Sequence, residues 1–207
     1  MKLNVFAAVL LVFSTLAVAA PDADQLYASL ERRLQALKTL EIRYKAVGSS
    51  GEDVVSGRMI WVKPDRFYHD TPEWTVCQNG NEQWRYLKGQ NTLILEAASE
   101  QSEFSPQNAL FNLKNSFQAA SIQPNGDNHR VLILKSRKPD VPGEVTIEFP
   151  SQSDTPDEMA FSDSSGTDVH YRIVRWDENV KPDTSLFTPP GVPPENLIDF
   201  RAAGKGK

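Results

Sequence analysis

Residues 144–149 set Val145, Ile147 and Phe149 in strict alternation with Glu144, Thr146 and Glu148. A period of two describes a strand with one buried and one wet face. The same period returns along most of the chain, which restricts it to a large antiparallel sheet. Ile42, Tyr44 and Ala46 alternate with Arg43 and Lys45, and Met59 and Trp61 alternate with Arg58, Ile60 and Val62. Pro64-Asp65 turns the chain into Arg66-Phe67-Tyr68-His69. Residues 74–78 and 83–87 flank Asn79-Gly80, a strong hairpin signal. Lys88-Gly89-Gln90 leads into Thr92-Leu93-Ile94-Leu95. Further strands are predicted at 117–122, 131–134, 145–149, 159–161 and 169–176.

Two helices interrupt the series. Asp22 or Asp24 can cap the first, in which Leu26, Leu30, Leu34 and Leu37 recur at helical spacing. Ser105-Pro106 supplies a cap and a first-position proline for the second, followed by Ala109, Leu110, Phe111 and Leu113. The plan is one helix, about six strands, a short apolar helix and about five more strands. That makes a mainly β chain of the α+β class. Strand twist curls so large an antiparallel sheet. Two helices do not fill the hollow of such a sheet, which predicts an apolar cavity.

The N-terminus reads Met1-Lys2, an apolar run from 5 to 16, then Ala17-Val18-Ala19. That is the pattern of a cleaved signal peptide, and Asp22 and Asp24 follow too soon for a membrane anchor. Expected are a signal peptide over residues 1–19, cut near Ala19/Ala20, and a single domain over 20–207. The one cysteine, Cys77, allows no intramolecular disulfide and reads as a small buried residue. No cysteine stands behind the apolar run to carry a lipid, so an exported, unanchored protein is expected. A net charge of −5 argues against nucleic-acid binding.

The chemistry-bearing residues form no known motif. His69, His129 and His170 are far apart and have no metal-ligand spacing. There is no nucleophile elbow, P-loop or dinucleotide fingerprint. Asp163-x-Ser165-Gly166-x-Asp168 lacks the rest of a calcium loop and reads as a hairpin turn. Binding, with no enzyme activity, metal or cofactor, is the expectation.

Four segments carry a resemblance. They are Ser56-Gly57-Arg58 leading into Trp61-Val62-Lys63-Pro64 and Arg66-Phe67; Asn79-Gly80 before Trp84-Arg85-Tyr86; the Ser105-Pro106 helix; and Phe187-Thr188-Pro189-Pro190-Gly191 before Ile198-Asp199-Phe200-Arg201. In this order the chain resembles the LolA family, soluble periplasmic carriers of outer-membrane lipoproteins. The resemblance implies an incomplete antiparallel barrel, a LolA-like half-barrel whose concave face is lidded by helices. It implies a monomer without cofactor that takes acylated lipoproteins from an inner-membrane lipoprotein-releasing transporter. The cargo then passes to an outer-membrane lipoprotein receptor. Such a chaperone is physically required, since each buried CH₂ is worth ~0.8 kcal/mol and one acyl chain on the order of 10 kcal/mol.

For the acyl-chain cavity, Trp61, Phe67, Trp74 and Trp84 are candidates on the sheet. Leu110, Phe111 and Leu113 are candidates on the lid helix, and Leu30, Leu34 and Leu37 on the first helix. The family usually has an arginine before the proline of the first of these segments, tying the lid to the sheet. Lys63 stands there in this chain, a point charge without a planar fork, and is the expected lid latch. Two other readings fit the same fold: a carrier or sensor of another amphiphile, such as a glycolipid or lipid-linked intermediate, and a hydrolase using the cavity.

Overall fold

The computed structural model describes residues 22–48, 53–80, 82–97, 113–126, 128–137, 143–162 and 168–201. The expected signal peptide, the Ser105-Pro106 helix start with Leu110 and Phe111, and the Asp163-to-Gly166 turn lie outside them. Helix α1 (Ala23–Ala36) begins at Asp22, whose carboxylate accepts the Gln25 N–H at 2.7 Å. That satisfies one of the helix's orphan donors. It buries Leu26, Leu30 and Leu34 and ends at Leu37, where the backbone turns extended.

Strands β1 (Thr39–Val47), β2 (Asp53–Val62), β3 (Arg66–Asp70), β4 (Trp74–Asn79), β5 (Glu82–Leu87) and β6 (Thr92–Ala97) follow as a meander. A short helix α2 (Leu113–Ser116) precedes β7 (Phe117–Asn125), β8 (His129–Ser136), β9 (Glu144–Pro150), β10 (Glu158–Ser162) and β11 (Asp168–Glu178). Strand β12 (Leu197–Asp199) completes one twelve-stranded sheet in the order β12-β6-β5-β4-β3-β2-β1-β11-β10-β9-β8-β7. The sheet is antiparallel except for β12, which runs parallel to β6. It does not close, since β12 and β7 are its two edges.

It is strongly curved. The Lys63 ammonium, just past β2, donates to the Leu34 carbonyl, and the Tyr27 hydroxyl donates to the Phe117 carbonyl on β7. Tyr27 and Leu34 are ~10 Å apart along a helix. In a flat sheet, β2 and β7 would stand six strand spacings apart, roughly 29 Å. One helix reaches both only because the sheet curls around it.

The inner face carries one connected core. It joins the α1 leucines to Leu40, Ile42, Tyr44, Met59, Trp61 and Phe67, and to Leu113, Phe117 and the inward residues of β8 to β10. The alternation at 144–149 appears as expected, with Val145, Ile147 and Phe149 fully buried.

The outer face differs from a plain wet face. Ile60, Tyr68, Cys77, Trp84 and Leu95 are opposed in register across β2 to β6, and this row is covered. Its cover is the C-terminal segment, which leaves β11 at Asn179 and crosses to the far edge as a strap. Asp183 caps a 3₁₀ turn (Thr184–Phe187) that drives Phe187 into the row. The Arg66 guanidinium lies 5.2 Å above the Phe187 ring, and Trp84 Nε1 donates to the Phe187 carbonyl at 3.5 Å. Arg201, clamped on Asp199 and Glu82, fastens the end of the strap at β6 and β5. The apolar residues on the outer face of β2 to β6 are thus accounted for by the strap.

Candidate functional site

On the inner face, aromatic side chains form a belt across the strands. Phe161 meets Tyr171 at 5.8 Å between ring centroids, and Tyr171 meets Tyr44 at 4.4 Å. Tyr44 meets His69 at 5.7 Å; His69 meets Phe67 at 6.0 Å and Trp74 at 4.6 Å; Phe67 meets Trp61 at 5.3 Å. The contacts are tilted or edge-on, as ring quadrupoles prefer.

Gly57 makes the belt continuous. It is opposed to Tyr44 in the β1–β2 register, and a Cβ there would stand 2.2 Å from Tyr44 Cζ. The tyrosine ring therefore lies across β2 where a side chain is missing, and its hydroxyl reaches His69 Nε2 on β3 at 2.7 Å. Burial pushes the His69 pKa down to about 4, with Asp70 acting weakly the other way. Burial, then Tyr171 and Asp70, push the Tyr44 phenol up. Both groups are neutral at pH 7, so the belt carries a satisfied polar pair and no charge.

The face grades from dry to open. Under α1 its residues are fully buried, Leu132, Leu134 and Ile147 among them. Toward the β12 edge the rows become mixed. Phe67, Gln78, Gln83 and Glu96 are opposed in turn, as are His69, Val76, Arg85 and Ile94. Trp74, Val76, Leu87 and Ile94 are half-buried there.

Of the residues expected to line a cavity, Leu30, Leu34, Leu37, Trp61, Phe67 and Leu113 all belong to the inner core and are buried. Trp74 joins them through His69 and is half-buried. Trp84 does not join them. It sits on the outer face under Phe187, because its register partners are Cys77 and Leu95. The proposed wall role of Trp84 is corrected accordingly.

Lys63 is placed at α1, where its ammonium donates to the carbonyls of Leu34 at 3.0 Å and Gln35 at 2.6 Å. These are last-turn carbonyls that a helix leaves unsatisfied, at the negative end of its dipole. Arg33 makes a second tie, through Nε to Glu178 at 2.5 Å and through its other nitrogens to the Asp154 carbonyl and Thr155 hydroxyl. Sequence reasoning missed Tyr44, Gly57, His69 and Arg33. The pairing of a glycine with a tyrosine on adjacent strands was the available signal for the first two.

The remaining reactive types sit elsewhere. Cys77 is buried on the outer face, and burial pushes its thiol up to about 12. His129 pairs with Asp157 and His170 with Glu158. Among the described residues, no group of three or more His, Cys, Asp or Glu is placed to hold a metal ion, and no helix is long and apolar enough to cross a membrane.

The family described as outer membrane lipoprotein carrier protein LolA matches residues 35–190. The chain belongs to this family. Its matched region runs from the end of α1 to the strap. No curated protein matches the chain. Among solved structures, an uncharacterized conserved protein from Thermus thermophilus is similar, with a TM-score of 0.53 and 10% identity over 84% of this chain and 99% of that chain. That likeness concerns the fold. A putative outer membrane lipoprotein-sorting protein domain from Vibrio parahaemolyticus matches with a TM-score of 0.45 and 9% identity, over 79% of this chain and 94% of that chain. A LolA superfamily protein from Nitrosomonas europaea matches with a TM-score of 0.41 and 10% identity, over 78% of this chain and 97% of that chain.

Proposed function

We propose that the protein is a non-enzymatic periplasmic carrier. It shields the acyl chains of lipoproteins released from the inner membrane and yields them to a receptor at the outer membrane. The observation that carries this reading is the continuous apolar inner face, dry beneath α1 and half-open at Trp74, Val76, Leu87 and Ile94. Membership of the LolA family supports the same assignment.

In this state α1 occupies the place of cargo. Leu30, Leu34, Leu37, Trp61, Phe67 and Leu113 have almost no exposure left, so an acyl chain reaches them only by displacing the helix. Lifting α1 uncovers Leu26, Leu30, Leu34 and Leu37, at about 1.5–3 kcal/mol each, or roughly 6–12 kcal/mol together. One acyl chain returns on the order of 10 kcal/mol. The two terms nearly cancel, which suits a carrier that must both accept and release. Lys63 and Arg33 set how firmly the empty state is held.

The test is purification of the protein from its own periplasm, followed by mass spectrometry of what it carries. Triacylated lipoproteins are expected. Free lipids or glycans alone would overturn the reading.

A further inference from the structure

Beside the strap, the outer face carries a charge arrangement that sheets ordinarily avoid. Arg175 on β11, Arg43 on β1 and Arg58 on β2 are directly opposed in register. Like charges placed directly opposite are destabilising. The next row along pairs Lys45 with Arg172. The answering carboxylates are Glu41 and Asp177 in the adjoining row of the same face, with Asp70 opposed to Arg58 and Glu158 opposed to Arg172 at the ends. Glu41 accepts Arg58 Nε and Nη2 at 3.0 and 2.9 Å and Arg43 Nε at 3.0 Å, and Asp177 pairs with Arg175 Nε. Burial pushes the Glu41 carboxyl up, but the Arg58 and Arg43 hydrogen bonds outweigh it and hold its pKa below the usual range.

Exposure separates the two signs. The Glu41 side chain is 9% exposed, against 51% for Arg43 and 59% for Arg175. Each of these two arginines is anchored through Nε, and more than half of its side chain faces solvent. On directly opposed residues the Cβ atoms are about 5 Å apart, close enough for two guanidinium edges to take one phosphate. Between them Val174, the residue skipped by the register shift, is 61% exposed.

We propose that this arginine ladder docks the protein on an anionic phospholipid bilayer. Guanidinium edges match phosphate bidentately, and a bound phosphate layer relieves the like-charge opposition along the ladder. The exposed Val174 favours a bilayer over an acidic peptide, because an interfacial site combines basic side chains with apolar ones. A net charge of −5 repels such a membrane over the rest of the molecule, so the ladder also fixes orientation. The outer face meets the lipid, and the apolar inner face points away from it. Docking of this kind is independent of what the inner face carries.

The test is flotation of the protein, purified from its own periplasm, with two kinds of vesicle at low ionic strength. One is phosphatidylcholine alone, and the other contains one third phosphatidylglycerol. Binding is expected to the second kind only. Arg43→Gln with Arg175→Gln should weaken it by about thirtyfold, at ~1 kcal/mol for each basic residue. Val174→Ser, which removes the apolar group and changes no charge, should weaken it as well. Fluorescent acyl-probe uptake should stay unchanged in all three proteins, which keeps this result separate from the carrier function. Equal binding to neutral vesicles, no binding by the parent, or undiminished binding by the double variant would each overturn the proposal. So would release by millimolar inorganic phosphate, which marks a simple anion site, or by an acidic peptide, which marks a protein partner.

Discussion

Replacing Gly57 with alanine tests the aromatic belt at its narrowest point. The added Cβ would meet Tyr44 Cζ, Oη and Cε1 at 2.2, 2.3 and 2.5 Å, so the ring must leave its place across β2. Two costs follow. Overpacking a filled core costs typically ~1–3 kcal/mol. Pulling the Tyr44 hydroxyl from His69 leaves buried polar groups unpaired, at another ~1–3 kcal/mol. Alanine returns ~0.5–1 kcal/mol over glycine inside a strand. The net is a loss of about 3 kcal/mol, or a fall in Tm of about 6–12 °C for a chain of this size. The assay is urea unfolding of a double-mutant cycle with Tyr44→Ala. Once the ring is gone, Gly57→Ala should change sign and stabilise by ~0.5–1 kcal/mol. If it costs the same in both backgrounds, the ring is not what Gly57 accommodates, and the account of the belt fails.

Three further outcomes are expected. Lys63→Met removes two hydrogen bonds to α1 carbonyls and should cost about 1 kcal/mol while accelerating acyl-probe uptake; unchanged uptake and release rates would remove Lys63 from the latch. His69 binds its proton in the unfolded chain near pH 6.5 but in the folded one only near 4, so stability should fall as pH drops through that window. The loss approaches about 3 kcal/mol, and urea titrations at several pH values should show the slope vanish in His69→Phe. Phe187→Ala empties the pocket between Tyr68, Cys77 and Trp84, and should cost ~3–5 kcal/mol. Limited proteolysis should then cut within the strap before the sheet, whereas unchanged protection would show that Phe187 is not its anchor.

The strands and the first helix were legible because each buries one face, and the period of that burial is written in the side chains. The α1 leucines and the six-then-five succession of strands appear where patterning put them, and of the two candidate caps, Asp22 and Asp24, the structure uses Asp22. The faces of β2 to β5 were less legible. Ile60 and Val62 look like a lapse in alternation until the strap is seen to cover them. Trp84 shows what a stricter reading would have found. Across a two-residue hairpin loop, opposed residues differ by an odd number, and here Asn79 pairs with Glu82. Trp74 and Trp84 are ten residues apart, so they must face opposite sides. The strap itself was readable only as a Pro-rich ending. Its path depends on contacts between Phe187 and strands a hundred residues earlier, which no local pattern encodes.

The polar ties of α1 bear on how the inner face opens. Arg33 and Lys63 fasten the helix at its last turn, beside the Leu37-Lys38 junction that joins it to β1. A helix held covalently at one end lifts by turning about that end, and ties close to the pivot resist rotation with little leverage. The Tyr27 hydroxyl on the Phe117 carbonyl lies about two turns farther out, where the same bond opposes a larger displacement. Lys63 and Arg33 therefore fix the angle at which α1 rests on the sheet and add to its hold there, while Tyr27, Leu26, Leu30 and Leu34, farther from the pivot, carry most of that hold. An arginine at position 63 would add a planar fork to the pivot and stiffen it. The lysine found there keeps the charge at the helix end and leaves the joint looser, consistent with a cover whose apolar contacts are nearly balanced by those of the cargo.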